Sequence, residues 1–128
     1  MDLVAVLLHC GIIDHEGVIQ RAHGEPEGAL NERVVERSGV YNFLIASEEE
    51  SNDQVPIYLT QKDVRELQLA KGAIAAGIRT LMDEMGIGTE DISRVYLAGA
   101  LGNYVNLYSA IRIGLIPMVS PEIITSLG

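Results

Sequence analysis

The sequence has one cysteine, no tryptophan, few aromatic residues and half as many basic residues as acidic ones. Because Cys10 stands alone, neither an internal disulfide nor a four-cysteine iron–sulfur cluster can form within this chain. Nine Lys and Arg residues against 18 Asp and Glu residues give a net charge of −9, which argues against nucleic acid or an anionic membrane as the main partner. Aromatic residues make up only 5%, so Leu, Ile, Val and Ala must fill the core.

The chain also lacks a long hydrophobic run and a zinc-ligand pattern. No segment approaches membrane-spanning length, and Met1-Asp2 is not the basic start of a signal peptide, so we expect a cytoplasmic protein. Cys10 and the three histidines do not have the spacing of zinc ligands, and we predict no metal site. With 128 residues, 48% of them hydrophobic, the chain is predicted to be a single domain or part of one, with enough apolar residues for a core.

A long helix is predicted over Gln61–Met85. Thr60 is placed to cap it, and Asp63 completes a capping-box pair. From Val64 to Met85 apolar residues recur every three or four positions, which is the pattern of one helical stripe. We expect four members of this stripe to lie in the core: Leu67, Ile74, Ile78 and Leu81.

The remaining elements are shorter. Composition predicts strands at Val40–Ala46, at Val55–Leu59 and at Arg94–Ala98, and helices at Asp2–Leu8 and near Asn106–Gly114. Residues 21–39 and 47–54 are predicted as surface loops, and Pro121–Leu127 as a short apolar tail. Two strands, a long helix, a strand and a helix in this order predict an α/β fold.

The stretch Arg94–Val105 contains the candidate ligand-binding turn. The strand residues Val95–Leu97 are followed by small residues, with glycines at 99 and 102. A strand that ends in a small-residue turn before a helix leaves bare backbone for a flat or phosphorylated ligand. The alternative is that the glycines only pack the turn against the long helix.

Three segments resemble one family. Leu59–Lys71 (LTQKDVRELQLAK), Val95–Asn103 (VYLAGALGN) and Ala110–Pro117 (AIRIGLIP) are similar to the C-terminal ATPase-like domain of reductive activators of corrinoid proteins. Those proteins belong to the actin-like ATPase superfamily, with sugar kinases and heat-shock chaperones. The resemblance implies a fragment of an actin-like (ribonuclease H-like) ATPase domain, with a short sheet packed by a long helix. In the full-length family it implies ATP-dependent reductive activation of corrinoid methyl-transfer proteins.

The resemblance also implies a site for ATP or ADP with magnesium. Its predicted residues are Gly99, Ala100, Gly102, Asn103, Gln61 and Lys71. Gln61 is a candidate because it lies in the first turn of the long helix, where free N–H groups favour an anion or a polar ring edge. Simple helix capping is the alternative at that end. Lys71 lies on the apolar stripe, and the alternative there is a packed stem whose ammonium reaches water.

Parts of the superfamily ATPase have no match in this chain. No segment before Leu59 resembles the turns that hold magnesium and the phosphates, so we do not expect the chain alone to hydrolyse ATP. We expect a piece of a domain that lacks neighbours at both ends, and therefore a homo-oligomer formed through Asp2–Leu8 or Pro121–Leu127. A corrinoid protein is the expected partner in the full-length context. The alternative function is a non-catalytic interaction or assembly module that retains only the fold.

Overall fold

A computed structural model describes residues 1–23, 28–99, 102 and 104–127. The chain divides into two compact units, unit 1 from Met1–Ala5 with Leu69–Gly128 and unit 2 from Val6–Gln68. The divisions fall within two helices, α1 (Asp2–His9) and α3 (Gln61–Met85). Within the described ranges, no helix combines the length and the apolar character needed to cross a membrane.

Unit 2 contains an antiparallel sheet of three strands in the order β1-β2-β3. They are β1 (Val34–Arg37), β2 (Val40–Ala46) and β3 (Ile57–Leu59), and a four-residue helix, α2 (Gly28–Asn31), precedes them. The prediction of a loop over residues 21–39 is wrong at β1. Ser38 and Gly39 both have positive φ, 53° and 78°, which makes a two-residue hairpin turn whose twist suits the paired strands.

The core of unit 2 lies on one face of this sheet. Val34 pairs with Phe43, and Phe43 pairs with Leu59, so the three side chains share a face. Apolar residues from the preceding segment and from the start of α3 are buried as well. The buried apolar residues of unit 2 are Leu7, Ile12, Ile13, Ile19, Ala22, Val34, Phe43 and Val64.

Helix α3 begins and ends where the sequence predicts, because both ends have local signals. The Thr60 N–H donates to the Asp63 carboxylate (2.8 Å), and the Asp63 N–H donates to the Thr60 hydroxyl (3.2 Å), forming a capping box. At the other end Gly86 has φ 64°, its N–H donates to the Asp83 carbonyl, and the next N–H donates to the Met82 carbonyl. These two bonds are those of a Schellman motif, which glycine favours.

The predicted core face of α3 is wrong in part. Ile74 and Leu81 are 46% and 65% exposed, Leu67 and Ile78 are half-buried, and Val64 is the buried residue of this helix. The partly buried positions include Gln61, Gln68, Lys71, Ala75 and Met82. At about 100° per residue, the mean direction of these five positions differs from that of the four predicted core residues by roughly 90°. The hydrophobic pattern did not predict that Gln61, Gln68 and Lys71 lie on the partly buried face. It also did not predict that Ile74 and Leu81 are exposed.

Unit 1 contains the other sheet, two parallel strands, β4 (Val95–Leu97) and β5 (Ile124–Ser126). Between them lies α4 (Leu107–Arg112), whose first turn is capped by the Asn106 side chain accepting from the Ser109 N–H. The prediction of a tail after Pro121 is wrong, because this segment forms one turn of 3-10 helix and then β5. The core of this sheet is formed by Ala110, Ile116 and Ile124, with Val95 and Leu97 packed against it.

Candidate functional site

The turn after β4 has the geometry of an open backbone surface at Gly99. Gly99 has φ +92°, and the Gly102 N–H donates to its carbonyl (3.0 Å). Among the described residues, which do not include positions 100, 101 and 103, no heavy atom beyond the chain neighbours lies within 4 Å of the position that a Cβ on Gly99 would take. Toward the described part of the chain, Gly99 therefore presents bare backbone. Ala100 and Asn103, which the sequence predicts beside it, lie outside the described residues.

Gly102 has a packing role instead. A Cβ there would stand 2.9 Å from the Leu97 carbonyl oxygen and 3.2 Å from the Leu97 Cβ. Backbone cannot yield as a flexible side chain can, so only glycine fits at this position without a shift of β4. The two glycines of the predicted site therefore have different surroundings. Gly102 packs against Leu97 of β4, whereas no described residue packs against Gly99.

Gln61 binds a loop of unit 2 with both ends of its side-chain amide. Its Oε1 accepts from the Ile19 N–H (2.9 Å), and its Nε2 donates to the Gly17 carbonyl (2.6 Å). Both bonds are partly buried and join residues more than 40 positions apart. Gln61 was predicted to contact a nucleotide, and in the structure its hydrogen-bonding groups are used by the protein itself. The alternative of helix capping is fulfilled by Thr60 and Asp63.

Gln68, which the sequence analysis did not single out, completes the same attachment. Its Nε2 donates to the Glu16 carbonyl (2.9 Å), and its amide occupies the place that a Cβ on Gly17 would need. Gly17 also has φ +84°. We call these contacts of Gln61 and Gln68 with residues 16–19 the amide clasp. The sequence contains a signal for this clasp. Gln61 and Gln68 are seven positions apart, which places them on one face of a helix, and Val64 lies between them.

Lys71 lies at the C-terminal end of α4. Its Nζ is 3.4 Å from the position of a Cβ on Gly114, the residue with φ +75° that follows the helix. The Leu115 N–H donates to the Ala110 carbonyl (2.9 Å) there, so this end is a second Schellman motif. An ammonium beside the last carbonyls of a helix is favoured by the helix dipole. The position of its ammonium near Gly114 is consistent with a lysine on the partly buried face of α3.

A groove of unit 1 lies at the other edge of its sheet. It has a volume of about 720 Å³, and its walls come from the second half of α3, from residues 87–90 and from residues 114–118. Those two loops lead into β4 and β5, whereas the Gly99 turn follows β4. Parallel strands have all their N-terminal ends at one edge and all their C-terminal ends at the other, which is where α/β proteins bind ligands. We therefore take the turn after β4, which contains Gly99 and Gly102, as the candidate site.

The strongest ion pair belongs to the scaffold. Arg33 and Glu50 form a salt bridge of 2.8 Å, and the Arg33 guanidinium also donates to the Ile45 carbonyl (3.0 Å). The hydrogen bond from Arg33 lowers the pKa of Glu50 to about 2, with the Ser47 N–H contributing next. Glu50 therefore ties the 47–54 turn to the sheet of unit 2. In the part of the chain that the structure describes, no group of three His, Cys, Asp or Glu side chains could hold a metal ion.

Comparison with known families identifies the domain. A family model described as the C-terminal domain of RACo, the ASKHA domain, matches residues 1–128. The chain belongs to this family. The predicted resemblance and fold class are thereby confirmed: the chain is α/β and matches part of an actin-like (ASKHA) domain.

Individual relatives agree. The corrinoid activation enzyme RamQ of Eubacterium limosum is 33% identical over 129 residues, which is 100% of this chain and 22% of that protein. A [Co(II) methylated amine-specific corrinoid protein] reductase of Methanosarcina barkeri is 43% identical over 68 residues, 53% of this chain and 13% of that protein. A solved structure named reductive activator for corrinoid,iron-sulfur protein has a TM-score of 0.83 at 35% identity, covering 99% of this chain and 19% of its own. This chain thus spans about a fifth of the length of RamQ and of the solved structure.

Proposed function

We propose that this ASKHA domain provides the adenosine-facing wall of a nucleotide site in a protein that reductively activates corrinoid proteins at the expense of ATP. The observation that carries the proposal is Gly99, against whose backbone no described residue packs, at the C-terminal end of a parallel strand in a domain of this family. A planar base can approach such a backbone closely because no side chain intervenes. The names of the relatives support corrinoid proteins as the target of the whole protein.

The site proposed here fits one part of the ligand. The Gly99 turn offers a face for the base, whereas Gln61 is hydrogen-bonded to residues 17 and 19 and the Lys71 ammonium lies near Gly114. The phosphates and their magnesium ion then depend on groups other than these two. We therefore expect weak binding of ATP or ADP to this chain, near the millimolar level, which corresponds to about −4 kcal/mol.

A titration with Mg-ADP tests this proposal. In saturation-transfer NMR on the unaltered chain, the adenine protons should receive more magnetisation than the ribose protons, because the base makes the contact. Gly99→Val should abolish the transfer, since its side chain would occupy the space beside the bare backbone, and Cys10→Ser should leave it unchanged. Because a valine at φ +92° is strained, the amide spectrum of Gly99→Val must first confirm that β4 is intact. No transfer to adenine in the unaltered chain would remove the nucleotide proposal.

The alternative, a non-catalytic interaction or assembly module, makes the opposite prediction. It is favoured by the packing roles that the structure gives to Gly102, Gln61 and Lys71. In the full-length protein, a module of this kind would tolerate Gly99→Val with unchanged ATP-dependent reduction of the Co(II) corrinoid protein. A loss of that activity, with normal binding of the corrinoid protein, would support the nucleotide wall.

A further inference from the structure

One carbonyl group at the end of β4 contacts two other segments of unit 1. The Leu127 N–H, one residue beyond β5, donates to the Leu97 oxygen (2.8 Å). On the turn side, a Cβ on Gly102 would stand 2.9 Å from the same oxygen and 3.1 Å from the carbonyl carbon, so Gly102 packs directly against this peptide group. The Leu97 carbonyl therefore links the end of β5 to the turn that contains Gly99 and Gly102.

We propose that the hydrogen bond from Leu127 to Leu97 positions the turn after β4 for nucleotide binding. Leu127 is then a positioning residue, which touches no ligand and acts through Leu97 and Gly102. The inference rests on the proposed function of the Gly99 turn. It gives the end of β5 a part in nucleotide affinity, although the sequence predicts this segment only as an apolar tail.

The contacts around the Leu97 carbonyl form a closed ring that includes Gly99. The chain leads from Leu97 through Ala98 to Gly99. The Gly99 carbonyl accepts from the Gly102 N–H (3.0 Å), and Gly102 packs back against Leu97. Because a peptide group is planar, holding the Leu97 oxygen also fixes the Ala98 N–H and the direction in which the chain leaves β4. Gly99 has no side chain to anchor it, so the position of its backbone depends on this ring.

The contact with Leu97 is made by the backbone of Leu127 rather than by its side chain. Leu97 and Ser126 are the last paired residues of β4 and β5, and the Leu127 bond continues the ladder one step beyond them. The Leu127 side chain is 59% exposed, so it contributes little to the core of unit 1. A substitution that keeps the N–H at position 127 should therefore be tolerated. Loss of the N–H should leave the Leu97 oxygen with only its contact to Gly102.

Proline at position 127 removes this donor and keeps the strand. Proline has no N–H, and it favours an extended residue before it, which Ser126 in β5 already is. Leu127→Ala is the conservative variant, because it shortens the same exposed side chain and retains the N–H. In the unliganded chain, exchange of the Gly102 amide proton should accelerate in Leu127→Pro only, since this proton is bonded to the Gly99 carbonyl. Equal exchange in the two variants would overturn the positioning role.

A titration with Mg-ADP tests whether the bond affects binding. Leu127→Pro should weaken binding about two- to tenfold, which is the effect of roughly one hydrogen bond, and Leu127→Ala should retain the affinity of the unaltered chain. Equal affinity of all three chains would overturn the positioning role and leave the nucleotide proposal intact. No binding by the unaltered chain would contradict the nucleotide proposal itself, and the inference with it. Because position 127 is exposed, both variants are expected to fold, which their amide spectra check.

Discussion

Replacing Gln61 by alanine separates the two roles considered for this residue. The substitution removes the acceptor for the Ile19 N–H and the donor to the Gly17 carbonyl, and both bonds are partly buried. A hydrogen bond within a protein contributes about 0.5–1.5 kcal/mol net, so the loss of two should cost roughly 1–3 kcal/mol. We expect this loss in urea unfolding as a lower midpoint with an unchanged m-value. The nucleotide signal of the folded variant should be unchanged.

Glu66→Ala is the matched control for this experiment. Glu66 lies in the same helix, is exposed, and has nearly the same intrinsic helix propensity as glutamine, so both variants gain alike from alanine. It should change the free energy of unfolding by less than about 0.5 kcal/mol. Hydrogen exchange at the Ile19 amide should accelerate in Gln61→Ala only. Equal stability of the two variants would refute the structural role of the amide clasp.

Three further predictions follow from burial, charge and backbone contact. In urea unfolding, Val64→Ala should lower the free energy of unfolding by about 1–3 kcal/mol, because Val64 is 1% exposed. Leu81→Ala should lower it by less than about 0.5 kcal/mol, because Leu81 is 65% exposed. The reverse order would show that the buried face of α3 has been assigned to the wrong side. The pKa of Glu50 is about 2 against an ordinary 4.5, so the Arg33–Glu50 pair stabilises fully above pH 4.5 and loses its effect as the pH falls toward 2. Glu50→Gln should flatten the stability profile in that window, and an NMR midpoint for Glu50 near 4.5 would contradict the pair. Gly102→Ala should destabilise by roughly 1–3 kcal/mol through its clash with Leu97, and a normal thermal midpoint would show that β4 can yield.

Features with local causes were predictable from the sequence. The bounds of α3 follow from Thr60 and Asp63 at one end and Gly86 at the other, and Asn106 similarly starts α4. Strand β2 has the β-branched and aromatic composition that its two-sided pairing requires. Each of these signals lies within a few residues of the feature it determines, so it does not depend on contacts with distant parts of the chain.

Features that depend on distant partners were not predictable. β1 and β5 are four and three residues long and contain polar residues, and only pairing with β2 and β4 makes them strands. The buried face of α3 was misplaced because periodicity gives the spacing of apolar residues but not which side meets the core. The side chain of Gln61 is hydrogen-bonded to the backbone of Gly17 and Ile19, which are 44 and 42 positions away. No local sequence pattern indicates such hydrogen bonds.

The amide clasp joins its loop to α3 without any ionised group. Neutral amides bound to backbone neither titrate in the acid range nor respond much to ionic strength, whereas the Arg33–Glu50 pair does both. These two attachments in unit 2 therefore respond differently to acid and salt. As the pH falls toward 2 in high salt, the 47–54 turn should be released first, while residues 16–19 remain in place. The order in which these two loops loosen is then set by which side chains hold them.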